Sequence, residues 1–444
     1  MVGFGVGNCI GAGVFVYMGT AIGFTGRALP LALLIANIVM LFAYGYHTLM
    51  AGTFPLSGGK YAQGAVLQPP LLAGVTAVTT IIKSMSIAGF ALSIVIYAGQ
   101  IFPEILPYGK LIAVLIQTAF FASTLKGSKF MAKLNIIMII VLTIALGVFI
   151  AVGIPQVQSG AFALTAPGYF RNGIAGFVAA VAIMGFACQG STMLVNFASD
   201  AEKPTRRIPI AILLTTLVVG LIYFLMAIVA VGVLPVDTVT GQSLAVVAEE
   251  MFPRTIFVIF VIGGACFAIA TSLYGTISTL KYPILSTVED GWLPAFIGKQ
   301  TKSGYPWVIM LIMYLVAVIP IIVDMSLDQI ASYLMIPIMF LAMLNNLLFF
   351  KIPKQYPSAW KKSFFYMPKP CLILVIVFSV LCDILVCAAM FTTLQNGDQF
   401  MIIFLLTLIF AYSYLRLKSG KVTMKSVEEA KQQAMGEMYD TEQT

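Results

Sequence analysis

Three glycines interrupt the first apolar segment of the chain. Gly7, Gly11 and Gly13 lie within about two helical turns of one another. A glycine in a helix interior costs about 1 kcal/mol relative to alanine, and it allows other groups to approach the backbone closely. In lipid, unwound backbone persists only where protein or a water-filled cavity surrounds it. We therefore expect a break that faces such a cavity, although Gly7 and Gly11 also have the four-residue spacing of a close helix–helix contact.

The two sides of such a break carry opposite partial charges. If residues 11–13 are unwound, the amide groups that begin the second half-helix attract a carboxylate. The carbonyl groups that end the first half-helix attract an ammonium group. Together they are complementary to a zwitterion such as an amino acid. The amides are those of Ala12, Gly13 and Val14, and the carbonyls are those of Asn8, Cys9 and Ile10.

A second interruption lies in the apolar segment over residues 173–197, which begins the second half of the chain. Its middle contains Phe186-Ala-Cys-Gln-Gly-Ser-Thr192, where small and polar residues replace apolar ones. Interrupted helices at matching positions of two halves are typical of inverted-repeat transporters. Phe186 is a candidate to close over a bound solute, and Gln189 and Ser191 are candidates to hydrogen-bond it. The alternative is an ordinary helix that tolerates Gly190.

The composition indicates a membrane protein. Of 444 residues, 60% are apolar and 9% are charged, with a mean hydropathy of +1.00. A soluble domain carries about 25% charged residues, so a soluble fold is excluded. Alternating strands of about ten residues are absent, which excludes an outer-membrane barrel. Six cysteines within apolar segments and one histidine lack paired ligand spacing, so no metal, cofactor or catalytic centre is expected.

Apolar segments of roughly 20 residues recur along the chain, and we predict twelve membrane-spanning helices, called spans 1 to 12. They cover residues 2–22, 29–54, 71–101, 109–123, 134–153, 173–197, 208–232, 255–283, 306–323, 329–351, 370–392 and 399–416. With a cytoplasmic N-terminus, 20 of the 25 Lys and Arg residues fall on the cytoplasmic side. This asymmetry predicts that both termini are cytoplasmic. It makes the net charge of +8 a topology signal rather than evidence of nucleic-acid binding.

Four motifs resemble those of the amino acid–polyamine–organocation (APC) superfamily of permeases. They are Asn8-Cys-Ile-Gly-Ala-Gly-Val-Phe15, Phe54-Pro-Leu-Ser-Gly-Gly-Lys-Tyr61, Ala201-Glu-Lys-Pro-Thr-Arg-Arg-Ile-Pro209, and Val288-Glu-Asp-Gly-Trp-Leu-Pro294 followed by Gly304-Tyr-Pro306. The resemblance implies an all-α, leucine-transporter-like membrane fold of twelve helices. Two inverted repeats of five helices would cover residues 1–153 and 173–351, and two peripheral helices residues 370–416. Residues 417–444 would form a cytoplasmic tail.

The same resemblance implies which groups hold a substrate. The α-carboxylate would meet the amide groups of Ala12 and Gly13. The α-amino group would meet the carbonyls around Cys9 and those of Phe186 and Ala187. Phe186 falls at the position of the aromatic gate of the family.

Three positions depart from the family's pattern and leave the coupling ion open. Many members carry an acidic residue two positions after the glycine of span 6, and the residue here is Thr192. A charged residue is common near the end of span 2, where this chain has Leu49. A lysine thought to replace a sodium ion occurs in the middle of span 5 in several members, where this chain has Leu142.

Three ionisable residues lie inside predicted spans, namely Lys83, Asp383 and His47. A charge at mid-bilayer costs at least about 2.5–3.5 kcal/mol on insertion scales, so each is a functional candidate. Lys83 in span 3 would pair an acidic substrate side chain, replace a bound cation or carry a coupling proton; the alternative is a snorkelling lysine. Asp383 is expected in a helix–helix or dimer contact, and His47 in a hydrogen-bonded packing role.

These observations predict a secondary transporter, not an enzyme, that moves amino acids across the cytoplasmic membrane by alternating access. It would act as an exchanger or a proton symporter, with an amino acid, the lipid bilayer and, for symport, protons as partners. The chain is expected to be a monomer or a homodimer. The alternative is a polyamine or organic cation antiporter, which Lys83 disfavours because like charges repel. A channel would need a repeated pore-loop filter, which the sequence lacks.

Overall fold

The chain folds into helices joined by short loops. The computed structural model describes residues 2–54, 56, 59–126, 128–163, 165, 168–302, 304–429 and 431–432. Within these residues every regular element is helical. The α-helices are α1 (Val2–Cys9), α2 (Ala12–Thr25), α3 (Leu29–Ala43), α4 (Gly45–Thr53), α5 (Gly59–Ala65), α6 (Pro70–Ile82), α7 (Ser86–Ala98), α8 (Gly109–Ser123), α9 (Ser128–Gly153), α10 (Gly173–Cys188), α11 (Pro204–Gly232), α12 (Val236–Val239), α13 (Ala245–Met251), α14 (Arg254–Ile259), α15 (Phe267–Glu289), α16 (Trp307–Ile322), α17 (Leu327–Leu348), α18 (Ile352–Gln355), α19 (Pro357–Lys362), α20 (Lys369–Thr392) and α21 (Asn396–Lys418).

The helices have the length and composition of membrane-spanning segments. Among the described residues, 10 helical stretches are long and apolar enough to cross a bilayer, and Trp307–Ile322 is a shorter apolar helix. A helix satisfies most of its backbone hydrogen bonds internally, as lipid requires. The predicted all-α membrane fold is therefore confirmed, while the count of twelve spans stays a prediction.

Span 1 is broken where the glycines predicted it. Helix α1 ends at Cys9 and α2 begins at Ala12, with a 2.8 Å hydrogen bond from the Gly11 amide to the Cys9 carbonyl between them. The break is shorter than expected, because Ala12 and Gly13 already belong to α2 rather than to an unwound stretch over residues 11–13. The first-turn amides of α2 consequently keep helical geometry, pointing along the helix axis.

Span 6 changes its winding at the predicted interruption. Its α-helical hydrogen bonding ends at Cys188, and tighter 3₁₀ turns continue from Gln189 to Asp200. A 3₁₀ run of this length is uncommon and often marks a functional hinge. Span 2 is also interrupted, at Tyr44 between α3 and α4. Span 3 tightens into a 3₁₀ turn over Lys83–Met85.

Span 8 is longer than predicted and also changes its winding. The prediction placed its end at residue 283, whereas α15 continues through Pro283 to Glu289. A proline removes one hydrogen bond of the helical ladder, and neighbouring helices in a membrane protein can satisfy the carbonyl that it frees. A π-helical stretch over Phe260–Cys266 precedes α15, and such stretches are frequent near functional sites.

Small residues allow the two broken spans to pack closely. Helix α2 packs along α10, and α1 contacts the 3₁₀ segment that follows α10. Between helices in lipid, packing and hydrogen bonds rather than the hydrophobic effect drive association, so small residues at the contact stabilise it. The interrupted segments of spans 1 and 6 are therefore held side by side in the core.

The C-terminal segment after α21 folds back onto the loop that follows α15. Asp290 in this loop is fully buried, and its carboxylate accepts hydrogen bonds from the Tyr61 hydroxyl and the Ser426 amide. The Thr423 amide donates to the Asp290 carbonyl at 2.9 Å. Arg416 adds hydrogen bonds to the carbonyls of Gly291 and Leu293. Asp290 thus joins the tail to α5, which carries Tyr61.

Candidate functional site

A cavity lies where the interrupted segments of spans 1 and 6 meet. Its volume is about 150 Å³, a size that holds a benzene-sized ligand in other proteins. Spans 1, 2, 3, 6, 8 and 10 all contribute to its wall, together with α5. The lining residues are Cys9, Gly13, Tyr44, Lys60, Tyr61, Thr80, Lys83, Ser86, Phe90, Phe186, Ala187, Gln189, Gly190, Met193, Asn196, Ser272, Thr276, Thr279, Leu280, Pro283, Leu334 and Ile338.

The glycines of both interruptions are needed for close packing as well as for the break. A Cβ atom on Gly190 would lie 2.8 Å from Cys9 Cα, and one on Gly13 would collide with the backbone of Ala187. A Cβ atom on Gly11 would collide with the Ser272 side chain in α15. The two interpretations of the glycine pattern therefore both apply, since the helices are broken and also in close contact.

One hydroxyl group joins the two interrupted helices. Tyr223 of α11 is fully buried, and its hydroxyl lies 2.7 Å from the Cys9 carbonyl and 3.5 Å from the Ala187 carbonyl. These carbonyls are at or next to the last residue of α1 and α10. The Cys9 carbonyl, predicted to attract a ligand ammonium group, is thus already hydrogen-bonded within the protein.

The N-terminus of α2 faces the same cavity. No described side chain caps this helix, and Gly13 in its first turn lines the cavity wall. The amides of Ala12, Gly13 and Val14 have no acceptor within the helix, because the residues four positions earlier lie beyond its start. Such a helix end carries partial positive charge and suits a carboxylate.

Of the three predicted side chains of span 6, two line the cavity, and the third is buried outside it. Phe186 lines the cavity and packs edge-on against Tyr17, with ring centroids 5.1 Å apart. Gln189 also lines it, and its side-chain oxygen accepts a 2.7 Å hydrogen bond from the Tyr44 hydroxyl. Ser191 is buried outside the cavity lining and accepts a hydrogen bond from Thr216 at 3.0 Å.

Some of the predicted residues of span 1 line the cavity, and others pack outside it. Cys9 and Gly13 lie in the cavity wall together with Ala187 of span 6. Ile10 is 2% exposed and packs in the apolar core outside the lining. Gly11 contacts α15 through the close approach to Ser272. The structure therefore brings together the backbone ends of both breaks. Ile10, Gly11 and Ser191 pack outside the cavity lining.

Two lysines line the cavity. Lys83 lies at the 3₁₀ turn of span 3, and no described residue forms a hydrogen bond or an ion pair with its ammonium group. Lys60 of α5 lies with its ammonium group 4.4 Å from the centre of the Tyr44 ring, a cation–π contact. Both lysines also line a smaller adjoining cavity that reaches His47 and Asn345. From the sequence, Lys60 was counted among the cytoplasmic positive charges and within the motif over residues 54–61, but not as a residue of the site.

The other ionisable candidates lie outside the main cavity lining. Asp383 is fully buried on α20, and it accepts a 2.7 Å hydrogen bond from Asn346 of α17, which also donates to the Ala43 carbonyl. This is the expected helix–helix contact. His47 has its Nδ1 atom 3.0 Å from the Gln63 side-chain oxygen and packs edge-on against Tyr46. The hydrogen-bonded packing role expected for His47 agrees with this geometry.

Comparison with known proteins identifies the family. The chain matches the "Amino acid permease" family over residues 1–412. It belongs to this family. An APC-type permease is a membrane transporter and not an enzyme, as the sequence motifs implied.

Individual relatives are more distant. An uncharacterized protein of Methanocaldococcus jannaschii is 28% identical over 309 residues, which are 67% of this chain and 69% of that protein. The vacuolar "Cationic amino acid transporter 2" of Arabidopsis thaliana is 26% identical, and the match covers 68% of this chain but 51% of the plant protein. The "Branched-chain amino acid permease BcaP" of Bacillus subtilis is 24% identical, with 68% of this chain and 69% of that permease covered. The chain thus matches only about half the length of the plant relative.

Sequence reasoning missed several residues of the site besides Lys60, among them two tyrosines that join its elements. Tyr44 and Tyr223 are aromatic residues within otherwise apolar helices, and their hydroxyl groups need partners there. This need for a hydrogen-bond partner was the sequence signal that could have marked both tyrosines. It did not reveal the partners, because Tyr223 lies 214 residues from Cys9 and Tyr44 lies 145 residues from Gln189.

Proposed function

We propose that the protein is a secondary transporter that moves amino acids across the cytoplasmic membrane by alternating access, as an exchanger or a proton symporter. One observation carries the proposal: the breaks of spans 1 and 6 meet at one cavity. Only in such a place can helix ends hold a small charged solute at membrane depth. The relatives named as amino acid transporters support the choice of substrate.

The proposed binding mode uses the two backbone ends differently. The α-carboxylate of the substrate binds at the N-terminus of α2, near the amides of Ala12 and Gly13. The α-amino group binds near the carbonyls of Phe186 and Ala187. Cys9 contributes less than the sequence suggested, since its carbonyl accepts a 2.7 Å hydrogen bond from Tyr223, whose hydroxyl lies farther from the Ala187 carbonyl, at 3.5 Å. Phe186 packs against Tyr17 and serves as the aromatic gate on one side of the site.

In the proposed cycle, two inverted repeats over residues 1–153 and 173–351 move relative to each other around this site. The helices over residues 370–416 are peripheral, and both termini are cytoplasmic. The Tyr223 hydroxyl holds the two breaks together while the surrounding helices rearrange. Three positions that are often charged in the family hold the uncharged residues Leu49, Leu142 and Thr192 here. Lys83 is therefore the candidate for charge coupling.

Uptake by proteoliposomes tests the proposal. Purified protein is reconstituted into vesicles that are empty or preloaded with unlabelled amino acids, with and without an inward proton gradient. Uptake of labelled amino acid only into preloaded vesicles identifies an exchanger, and filling of empty vesicles under a gradient identifies a symporter. Absence of amino acid counterflow under every condition refutes amino acid transport. Protein-free vesicles are the control.

A polyamine antiporter is the second candidate, and the site opposes it. Two ammonium groups line the cavity, and the described lining contains no carboxylate to receive a polycation. Like charges a few ångströms apart repel by several kcal/mol at the effective dielectric of a partly buried site, on the order of 4 kcal/mol at 4 Å. Counterflow of labelled putrescine in the same vesicles, exceeding that of amino acids, would favour this candidate.

A further inference from the structure

The charged side chains that line the cavity are both positive. Lys60 and Lys83 line both it and the adjoining smaller cavity, and neither lining includes a described aspartate or glutamate. A partly buried ammonium group without a counter-charge is costly, because the protein replaces only part of its hydration. A ligand that brings negative charge to this place would reduce that cost.

Five of the seven hydroxyl groups that line the cavity donate their protons to other groups of the protein. Thr80, Ser86 and Thr279 each donate to a backbone carbonyl of their own span, at 2.7–2.8 Å. The Tyr44 hydroxyl donates to Gln189 and the Tyr61 hydroxyl to Asp290. An anionic ligand group in this part of the cavity therefore has the two lysine ammonium groups as its principal charged donors.

The α-carboxylate of an amino acid does not account for both lysines. The proposed function places this carboxylate at the N-terminus of α2, where backbone amides and the helix dipole compensate its charge. The two lysines lie on other elements of the wall than α2, Lys83 on span 3 and Lys60 on α5. A second negative group on the substrate would complete the charge balance.

We propose that the site selects amino acids whose side chain ends in a carboxylate, of the size of aspartate or glutamate, and that Lys83 and Lys60 bind this carboxylate. The proposal rests on the proposed function and deepens it. It separates this chain from transporters of cationic amino acids, because a cationic side chain would meet two like charges. Charge-assisted hydrogen bonds between an ammonium and a carboxylate are about twice as strong as neutral ones, which gives the selectivity a physical source.

The first test uses wild-type protein and two matched pairs of substrates. Counterflow of a labelled substrate in proteoliposomes is competed by glutamate or glutamine and by aspartate or asparagine. Within each pair the molecules have nearly the same size and differ in the charge of the side chain. We expect the acid to compete about ten- to a hundredfold more strongly than the amide, as for a hydrogen bond to a charged group. Equal competition, or stronger competition by the amide, overturns the proposal.

The second test changes the lysines. Lys83→Met and Lys60→Met remove the charge and keep most of the side-chain volume, and the acid-to-amide ratio should fall about tenfold or more for each. Lys83→Arg should restore much of the ratio, because it returns the positive charge. Lys281→Met is the matched control, since Lys281 also lies over a tyrosine ring, at 5.0 Å from that of Tyr282, but outside the cavity. An unchanged ratio in both cavity variants overturns the proposal.

The outcomes separate the two proposals. If neutral or cationic amino acids exchange and acidic ones do not, the amino acid transporter stands and the acidic selectivity fails. If no amino acid exchanges at all, the proposed function itself fails. Because the ratio is measured within each variant, a lower yield of folded protein does not imitate a loss of selectivity.

Discussion

The hydroxyl of Tyr44 donates a 2.7 Å hydrogen bond to the side-chain oxygen of Gln189, and the Lys60 ammonium lies over the same ring. Tyr44 is the residue at which span 2 is interrupted, and Gln189 is the first residue of the 3₁₀ segment of span 6. One side chain therefore joins an interrupted helix in each half of the chain and also positions a cavity lysine.

Tyr44→Phe separates these two roles. The ring and its cation–π contact stay, while the hydrogen bond to Gln189 is lost, so we expect slower counterflow with the acid-to-amide ratio retained. Tyr44→Leu removes both contacts and should lower the ratio as well. Initial rates and competition curves in proteoliposomes measure the two effects. A phenylalanine variant that matches wild type in rate would show that the hydrogen bond has no role in transport.

Tyr223→Phe removes the hydroxyl that joins the two breaks. Loss of one buried hydrogen bond should lower the free energy of unfolding by about 0.5–1.5 kcal/mol, and the freed Cys9 carbonyl should disturb the site. We expect a lower thermal transition in detergent and reduced counterflow. Tyr414→Phe is the control, since Tyr414 is 56% exposed and forms no hydrogen bond with a described residue. Equal behaviour of the two variants would contradict this role for Tyr223.

Gly190→Ala tests the close contact between spans 1 and 6. Its new Cβ atom would lie 2.8 Å from Cys9 Cα, so the helices must separate, at a cost of about 1–3 kcal/mol typical of overpacking. Transport should be lost or strongly reduced even where folded protein is recovered. Gly147→Ala is the control, because nothing lies within 4 Å of the corresponding Cβ position. Detergent thermal stability and counterflow are measured for both variants.

Asn346→Ala opens the polar contact that supports the interruption of span 2. Its side chain accepts from the Tyr46 amide and donates to the Ala43 carbonyl and to Asp383. At about 0.5–1.5 kcal/mol per hydrogen bond, the variant should lose roughly 1.5–4.5 kcal/mol of stability. A double-mutant cycle with Asp383→Ala checks the pairing. Additive losses would show that the two side chains do not stabilise each other.

Acidic counterflow should decrease with rising pH because of Lys60. Burial lowers the pKa of the Lys60 ammonium well below its ordinary value, and the positive charge of Lys83 lowers it further, against an opposing contribution from Cys9. Tyr44, Tyr61 and His47 are the other titratable groups that share this part of the wall. Above the lowered pKa, Lys60 is neutral and the cavity has lost one positive charge.

The measurement is a pH profile of counterflow with the same pH on both sides of the membrane. The preference of wild type for the acid over the amide should decrease as pH rises through the pKa of Lys60. Lys60→Arg keeps its charge over this range and should flatten the profile. An acid-to-amide ratio that stays constant with pH in wild type contradicts the assignment.

The sequence could predict the breaks but not what surrounds them. Glycine spacing and the polar residues at 186–192 are local signals, so the interruptions near Gly11 and Gly190 were predictable. The partners of these segments come from tertiary packing, which places Tyr223 against Cys9 and Tyr44 against Gln189. Counting positive charges for topology treats every lysine alike, and it therefore could not distinguish a lysine that lines a cavity.

The carboxylate of Asp290 binds the backbone of the C-terminal segment on one side and the hydroxyl of cavity residue Tyr61 on the other. This has a practical consequence for anyone who expresses the protein. An affinity tag fused directly after residue 418, or a cloning scar within 419–426, would remove a ligand of a buried carboxylate and alter the wall of the binding cavity. Tags are better fused upstream of the first span or well beyond Ser426, and activities measured with truncated versions should be compared with the full chain.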